Sequence, residues 1–259
     1  MRQNFLIILF ALLGACMGSF LNAAAYRSVR NLKWWGRERS KCFSCGRVLT
    51  PLELIPVFSF IFIKIFYKGR CRTCGAKISS RYLIAEILGA VGSALLAYKF
   101  YFNLKFLALS LTGFYGAFIS ALTDYETGDV FDLFAFITGL LGLAIRFSLG
   151  IKFLWDGALG AAAGWTVFAL IILITRGGMG WGDAVFMAGM GAVLGFKFIL
   201  IAIYFGFMLG GLAAIILLIL GKVKFGRGDT LPLVPFLASG CFITCLTGEY
   251  ILEFFNFYL

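Results

Sequence analysis

Apolar residues in this chain do not recur with the period of a half-buried helix or strand; they come in runs long enough to cross a bilayer, parted by short polar breaks. A span needs about 20 apolar residues. Runs of this kind fall at Phe5–Ala25, Tyr82–Tyr98, Leu104–Leu122, Val130–Leu149, Phe153–Thr175, Ala184–Phe196, Phe198–Leu220 and Leu231–Phe257. The pattern predicts about eight transmembrane helices. The run Ala184–Phe196 has 13 residues and reads either as a short span or as part of its successor. A long polar stretch, 27–81, separates the first two runs. Its one apolar segment, Leu52–Ile63, is too short to span and is broken by Pro56, so it is expected on the bilayer surface or packed against the spans.

Composition agrees with the pattern. Of 259 residues, 61% are hydrophobic and 14% charged, where a soluble domain carries roughly a quarter charged. The fold class expected is an all-α polytopic membrane protein with a small cytoplasmic insertion between helices 1 and 2. Thirty-two glycines are scattered through the chain and suit close helix packing. A net charge of +11 would fit a nucleic-acid binder, but the positions of the charges point to topology instead. Seventeen of the 23 Lys and Arg lie in the alternate connections 27–81, 123–129, 176–183 and 221–230. Cytoplasmic loops hold the positive excess, so those connections are placed inside and both termini outside. Membrane lipid is the expected partner, through headgroups near the basic loop, and no nucleic acid is. Leu13-Gly14-Ala15-Cys16 loosely resembles a lipoprotein signal, yet the apolar run continues to Ala25 and meets Arg27 and Arg30, so the segment is read as a retained span.

Four of the seven cysteines form two C-x-x-C pairs, Cys42/Cys45 and Cys71/Cys74, each followed by glycine. That spacing sets two thiolates at the bite of one tetrahedral ion and the glycine eases the turn. In a reducing compartment the reading is a zinc-ribbon-like structural site, with all four positions filled by protein, ahead of two disulfides. Cys16, Cys241 and Cys245 lie in apolar runs and read as packing residues.

The chain has no histidine, which excludes Ser-His and Cys-His nucleophile systems and H-E-x-x-H metallohydrolases. Carboxylates near spans are then the candidates for chemistry. Asp124 follows the third run, and Asp183 opens the sixth within Gly180-Trp181-Gly182-Asp183; the derived topology puts both at the cytoplasmic face. Two carboxylates held close share a proton: one can activate a water while the other hydrogen-bonds a peptide carbonyl. Gly180 and Gly182 would let an extended substrate backbone approach. The competing reading makes Asp183 a helix N-cap and the glycines a turn. Asp132 competes with Asp124 as the first acid, while Glu126 and Asp129 read more simply as solvated loop acids. The acids also leave open a proton- or cation-coupled transporter, and the cysteine module a non-catalytic assembly factor.

These stretches together resemble one family. Gly18-Ser19-Phe20-Leu21-Asn22 through Tyr26-Arg27, the two C-x-x-C pairs flanking Glu53-Leu54-Ile55-Pro56-Val57, Ile78-Ser79-Ser80-Arg81-Tyr82 with Glu86, Asp124 with Asp132, Gly180-Trp181-Gly182-Asp183, and Pro232 to Ala238 occur in the order found in the type IV prepilin leader peptidases. These are GxGD-class membrane aspartic proteases. The resemblance implies Asp124 and Asp183 as the catalytic pair, and cleavage of a short basic leader after glycine in prepilins or pseudopilins at the cytoplasmic face of a bacterial inner membrane. Less directly, it implies N-methylation of the new amino terminus with S-adenosylmethionine, for which no donor motif is legible. Glu126 and Asp129, or Glu53 and Glu86, are candidates for recognising leader charge. The expected organisation is a first transmembrane helix over 1–26, a tetracysteine module over 27–81 and a membrane-embedded peptidase domain over 82–259. One departure is Phe131, which stands where the family usually has proline before Asp132.

Overall fold

A computed structural model describes residues 2–33, 40–42, 44–50, 53, 56, 70–77, 79–176, 178–221 and 231–254. Most of the surface segment expected over Leu52–Ile63 lies outside the described residues. Among the described residues eight helices follow in order: α1 Arg2–Val29, α2 Arg81–Phe100, α3 Leu104–Thr127, α4 Asp132–Leu149, α5 Ile151–Ile174, α6 Trp181–Leu194, α7 Phe196–Ile219 and α8 Val234–Phe254. Seven are long and apolar enough to cross a membrane, and α6 is a shorter apolar helix. Large apolar side chains such as Phe136, Leu140, Leu170 and Ile215 are exposed on the helices, the pattern of a surface solvated by lipid. The protein is a multi-pass, all-helical membrane protein with a cysteine cluster between its first two helices.

The chain divides into two compact units, Met1–Tyr98 and Lys99–Leu259. In the first, α1 and α2 pack backbone to backbone. A Cβ on Gly14 would run into the carbonyl oxygen of Gly89, and one on Gly18 into that of Ala85, the small-residue contact that lets membrane helices approach. Polar side chains join the two helices: half-buried Ser19 Oγ donates to buried Glu86 Oε1 at 2.9 Å, and Asn22 of α1 is also buried.

The second unit is built around α6, which packs between α4 and α5 and also touches α3, α7 and α8. Phe186, Met187, Met190 and Val193 of α6 are almost wholly buried, as are Phe168 of α5 and Leu237 of α8. Glycines make the approach possible: Gly157, Gly160 and Gly164 of α5 lie against the backbone of Ala192, Gly191 and Met187. The apolar run Ala184–Phe196 is thus a separate helix. Gly195, at φ +88°, breaks it from α7, a left-handed backbone angle that side-chain-bearing residues avoid.

Two helices reach past their apolar runs to take in a candidate acid. α3 continues from Leu122 through Thr123-Asp124 to Thr127 and stops at Gly128, whose φ is 71° and whose N–H caps Asp124 O. α6 begins at Trp181, one turn before Ala184. Both candidate acids therefore sit in helices and not in the loops beside them. Phe131, at the proline position of the resemblance, has φ −78° and forms the N-cap of α4. Proline imposes nearly the same angle, so the turn forms without it.

Candidate active site and metal centre

Asp124 occupies the last turn of α3 and is buried, only 4% exposed. Its Oδ2 accepts a hydrogen bond of 2.9 Å from the backbone N–H of Val234. Val234 is the first residue of α8 and follows Leu231-Pro232-Leu233. The first N–H groups of a helix have no partner inside it and attract negative charge, so α8 opens directly onto this carboxylate.

Asp183 is half-buried in the first turn of α6. The N-cap is Gly180, with no side-chain cap bond, and Asp183 N–H donates to Gly180 O at 3.2 Å. The N-cap alternative for Asp183 therefore fails, because Asp183 is the third residue of the helix. The fold brings Asp183 within electrostatic reach of Asp124, whose charge acts on it, and the N–H of Gly180 faces its carboxylate.

The two glycines before Asp183 differ. A Cβ on Gly182 would lie 2.9 Å from Val130 Cβ, so this glycine lets α6 press against the segment entering α4. Among the described residues a Cβ on Gly180 would meet only Asp183 Oδ2, at 3.8 Å, and Gly182 N, at 4.0 Å. Gly180 is therefore the one that leaves space beside the carboxylate.

The other acids are placed apart in character. Asp132 is exposed at the start of α4, in the first turn where an acid favours the helix dipole. Glu126 is half-exposed and Asp129 exposed at the end of α3 and just beyond it, and the charge of Asp129 is felt at Asp124. Glu53 is engaged by Arg47 Nη2 at 2.6 Å and by the N–H and hydroxyl of Thr50 at 2.8 and 3.0 Å. Burial would raise its pKa, but these donors outweigh it and hold the carboxyl below its usual range. Glu86 lies buried at the α1–α2 contact with Ser19.

The cysteine module is two copies of one turn. Cys42 N–H donates to Arg47 O and Gly46 N–H to Cys42 O, at 2.8 and 2.9 Å. Cys71 N–H donates to Ala76 O and Gly75 N–H to Cys71 O, at 2.8 and 3.0 Å. Gly46 and Gly75 take the same left-handed angle, φ 69° and 71°, and the β bridges Lys41–Val48 and Arg70–Lys77 close the turns. All four Sγ atoms lie within 4.8 Å of one another. Cys42 and Cys74 are 3.8 Å apart and Cys45 and Cys71 4.0 Å. A tetrahedral ion with bonds of about 2.3 Å to sulfur sets its ligands roughly 3.8 Å apart, so the four residues fit such an ion. A disulfide would need about 2.05 Å. The N–H groups of Cys74 and Thr73 lower the Cys71 thiol to about 6, and those of Cys45 and Ser44 lower that of Cys42. Cys74 has the N–H of Ala76, but desolvation and the neighbouring thiols push it up to about 11.

Sequence reasoning missed three participants. The donor to Asp124 is a backbone group, which carries no residue signature. Val130, the partner of Gly182, is an ordinary apolar residue. Arg146, which lies within the apolar run Val130–Leu149, is only 5% exposed inside the second unit; the signal was present, since a cation within an apolar run requires partners.

Comparison with known proteins gives the family. Residues 12–100 match the model of the Bacterial Peptidase A24 N-terminal domain, and residues 111–215 that of the Type IV leader peptidase family. The chain is 33% identical over 256 residues to a prepilin leader peptidase/N-methyltransferase of Bacillus subtilis, covering 96% of this chain and 97% of that protein. Proteins of the same description from Pseudomonas aeruginosa, at 31% identity over 93% of this chain and 90% of that one, and Dichelobacter nodosus, at 32% over 85% and 74%, are similar too. No solved structure matches the chain. With two acids brought together in a multi-pass helical bundle and with relatives aligned over nearly its whole length, this chain belongs to the type IV leader peptidase family.

Proposed function

We propose that the protein is an aspartic endopeptidase that removes the short basic leader of type IV prepilins or pseudopilins after glycine, with Asp124 and Asp183 as its catalytic pair. The observation that carries this reading is that these two carboxylates, 59 residues apart in sequence, lie within electrostatic reach of each other in a chain without histidine. The ionised member of the pair takes a proton from a water as that water attacks the scissile carbonyl. The protonated member donates a hydrogen bond to the carbonyl oxygen, and the proton taken from the water passes to the leaving amine as the intermediate collapses. Burial of Asp124 and the N–H of Val234 fix one carboxylate, and the open side of Gly180 gives the substrate backbone room beside the other.

The catalytic acids lie at the cytoplasmic face of a bacterial inner membrane, the orientation the basic loops favour. The apolar helix of the substrate rests in the bilayer and its basic leader meets the acidic rim of Asp132, Glu126 and Asp129. Asp132 and Asp129, which are exposed, suit charge recognition better than Glu53, which Arg47 and Thr50 engage, and Glu86, which is buried beside Ser19. The descriptions of the relatives support a second activity, methyl transfer from S-adenosylmethionine to the new amino terminus. Residues 82–259 carry the peptidase chemistry. Residues 27–81 form a module that holds structural zinc through Cys42, Cys45, Cys71 and Cys74; the ion would lock the two turns together.

The test is incubation of the purified protein in lipid with one prepilin, with and without methyl donor, and mass measurement of the product. Cleavage after glycine by the wild type and none by Asp124→Asn or Asp183→Asn is expected. Full cleavage by either variant would remove the pair assignment, and a product unchanged in mass by methyl donor would remove the second activity.

A further inference from the structure

The end of α6 remote from Asp183 is held by an ionic clamp whose guanidinium, Arg146, is buried and whose carboxylate, Asp156, is half-exposed. At 14 residues α6 is roughly 21 Å long, well short of an apolar layer of about 30 Å. With its Asp183 end at one polar boundary, its last carbonyls stop inside the apolar layer, where an unpaired polar group is costly. Arg146, in the last turn of α4, reaches this point. Its Nε donates to Val193 O at 3.0 Å, and Nη1 donates to Phe153 O at 3.1 Å and to Asp156 Oδ2 at 2.8 Å. The other oxygen of Asp156, Oδ1, accepts from Phe196 N at 3.1 Å, the first N–H of α7. Gly157 and Gly195 leave the space: a Cβ on Gly157 would meet Arg146 Cδ at 2.6 Å, and one on Gly195 would collide with Asp156. One guanidinium and one carboxylate thus tie together the ends of α4 and α6 and the starts of α5 and α7.

We infer that Arg146, with Asp156 as its counter-ion, is a positioning residue that sets the axial depth of α6 and so the placement of Asp183 against Asp124. α6 is a rigid helix wedged between glycine-lined neighbours, and those small-residue contacts leave sliding along its own axis as the displacement least opposed by side chains. The clamp supplies the polar stop. Neither residue touches the reacting atoms, since both lie at the opposite end of α6. The catalytic consequence rests on the assignment of Asp183 proposed above, whereas the geometric claim stands on its own.

The experiment compares Arg146→Met, Arg146→Lys and Asp156→Asn with wild type, each full-length in lipid. A misplacement near 1 Å costs on the order of 10²-fold, so Arg146→Met is expected to lower kcat by about that factor with KM little changed, and Arg146→Lys to restore part of the loss. Independently of activity, cysteines at 124 and 183 are crosslinked with short bifunctional reagents, with and without Arg146→Met, and the linked peptides identified by mass. A changed crosslinking length in the Arg146→Met background is expected. An unchanged crosslink, or undiminished kcat in folded Arg146→Met, overturns the inference. Cleavage by Asp183→Asn with an altered crosslink would instead fault the catalytic assignment and leave the clamp intact.

Discussion

The backbone N–H of Val234 donates to Oδ2 of Asp124 at 2.9 Å, across 110 residues of sequence. This bond joins the last turn of α3 to the first of α8, and it explains why a proline-bounded segment belongs beside an acid. Pro232 keeps the chain extended up to the helix start, and α8 then presents its unpaired donors to the carboxylate.

Val234→Pro isolates that donor, because proline is tolerated at the first position of a helix. A hydrogen bond to a charged group is worth about 1.5–3 kcal/mol, so cleavage should slow by roughly 10- to 100-fold. Val234→Ala keeps the N–H and serves as the packing control. Equal loss in both variants would assign the effect to packing.

Asp124→Asn and Asp183→Asn should each reduce cleavage by about 10³-fold, within the range expected when an acid–base group is removed, with the protein still inserted and folded. Asp132→Asn should retain most activity, since Asp132 is exposed on α4. Single-turnover cleavage assays of the three variants side by side check this. In the wild type the rate should follow two apparent pKa values that belong to the pair.

Gly182→Ala should be more damaging than Gly180→Ala, because only the first places a Cβ 2.9 Å from Val130. The double variant Gly182→Ala/Val130→Gly should recover much of the loss, because it removes the Cβ that the added methyl meets. Thermal unfolding and cleavage rates of all four forms give the comparison.

The purified protein should hold one zinc per chain, removable by chelation and absent when Cys42, Cys45, Cys71 and Cys74 are all serine. Elemental analysis measures this, and faster proteolysis within 27–81 should accompany the loss.

Glu53→Gln should destabilise the cysteine module in a pH-dependent way. The folded Glu53 carboxyl lies below its usual 4.5, so its bonds to Arg47 and Thr50 add stability that is fully present above about pH 4.5. As pH falls through the lowered folded value that contribution disappears, and wild type and variant should converge. Zinc retention measured across pH in both proteins tests the sign.

The membrane class, the number of helices, the paired C-x-x-C turns and the candidate acids were legible in the sequence alone. Each depends on properties that neighbouring residues carry by themselves: apolar run length, ligand spacing and the cost of charge near lipid. Even the departure at Phe131 was harmless for a local reason, its φ of −78°.

What the tertiary structure decided is which groups face each other. Asp132 looked equal to Asp124 in the sequence, yet one is exposed and the other lies under α8 with Val234 as its donor. Arg146 was one more cation in an apolar run until the fold set Val193 O, Phe153 O and Asp156 around it. Helix crossings through glycine contacts determine these meetings, and a crossing depends on shape complementarity between distant segments, which hydropathy along one strand of sequence does not encode.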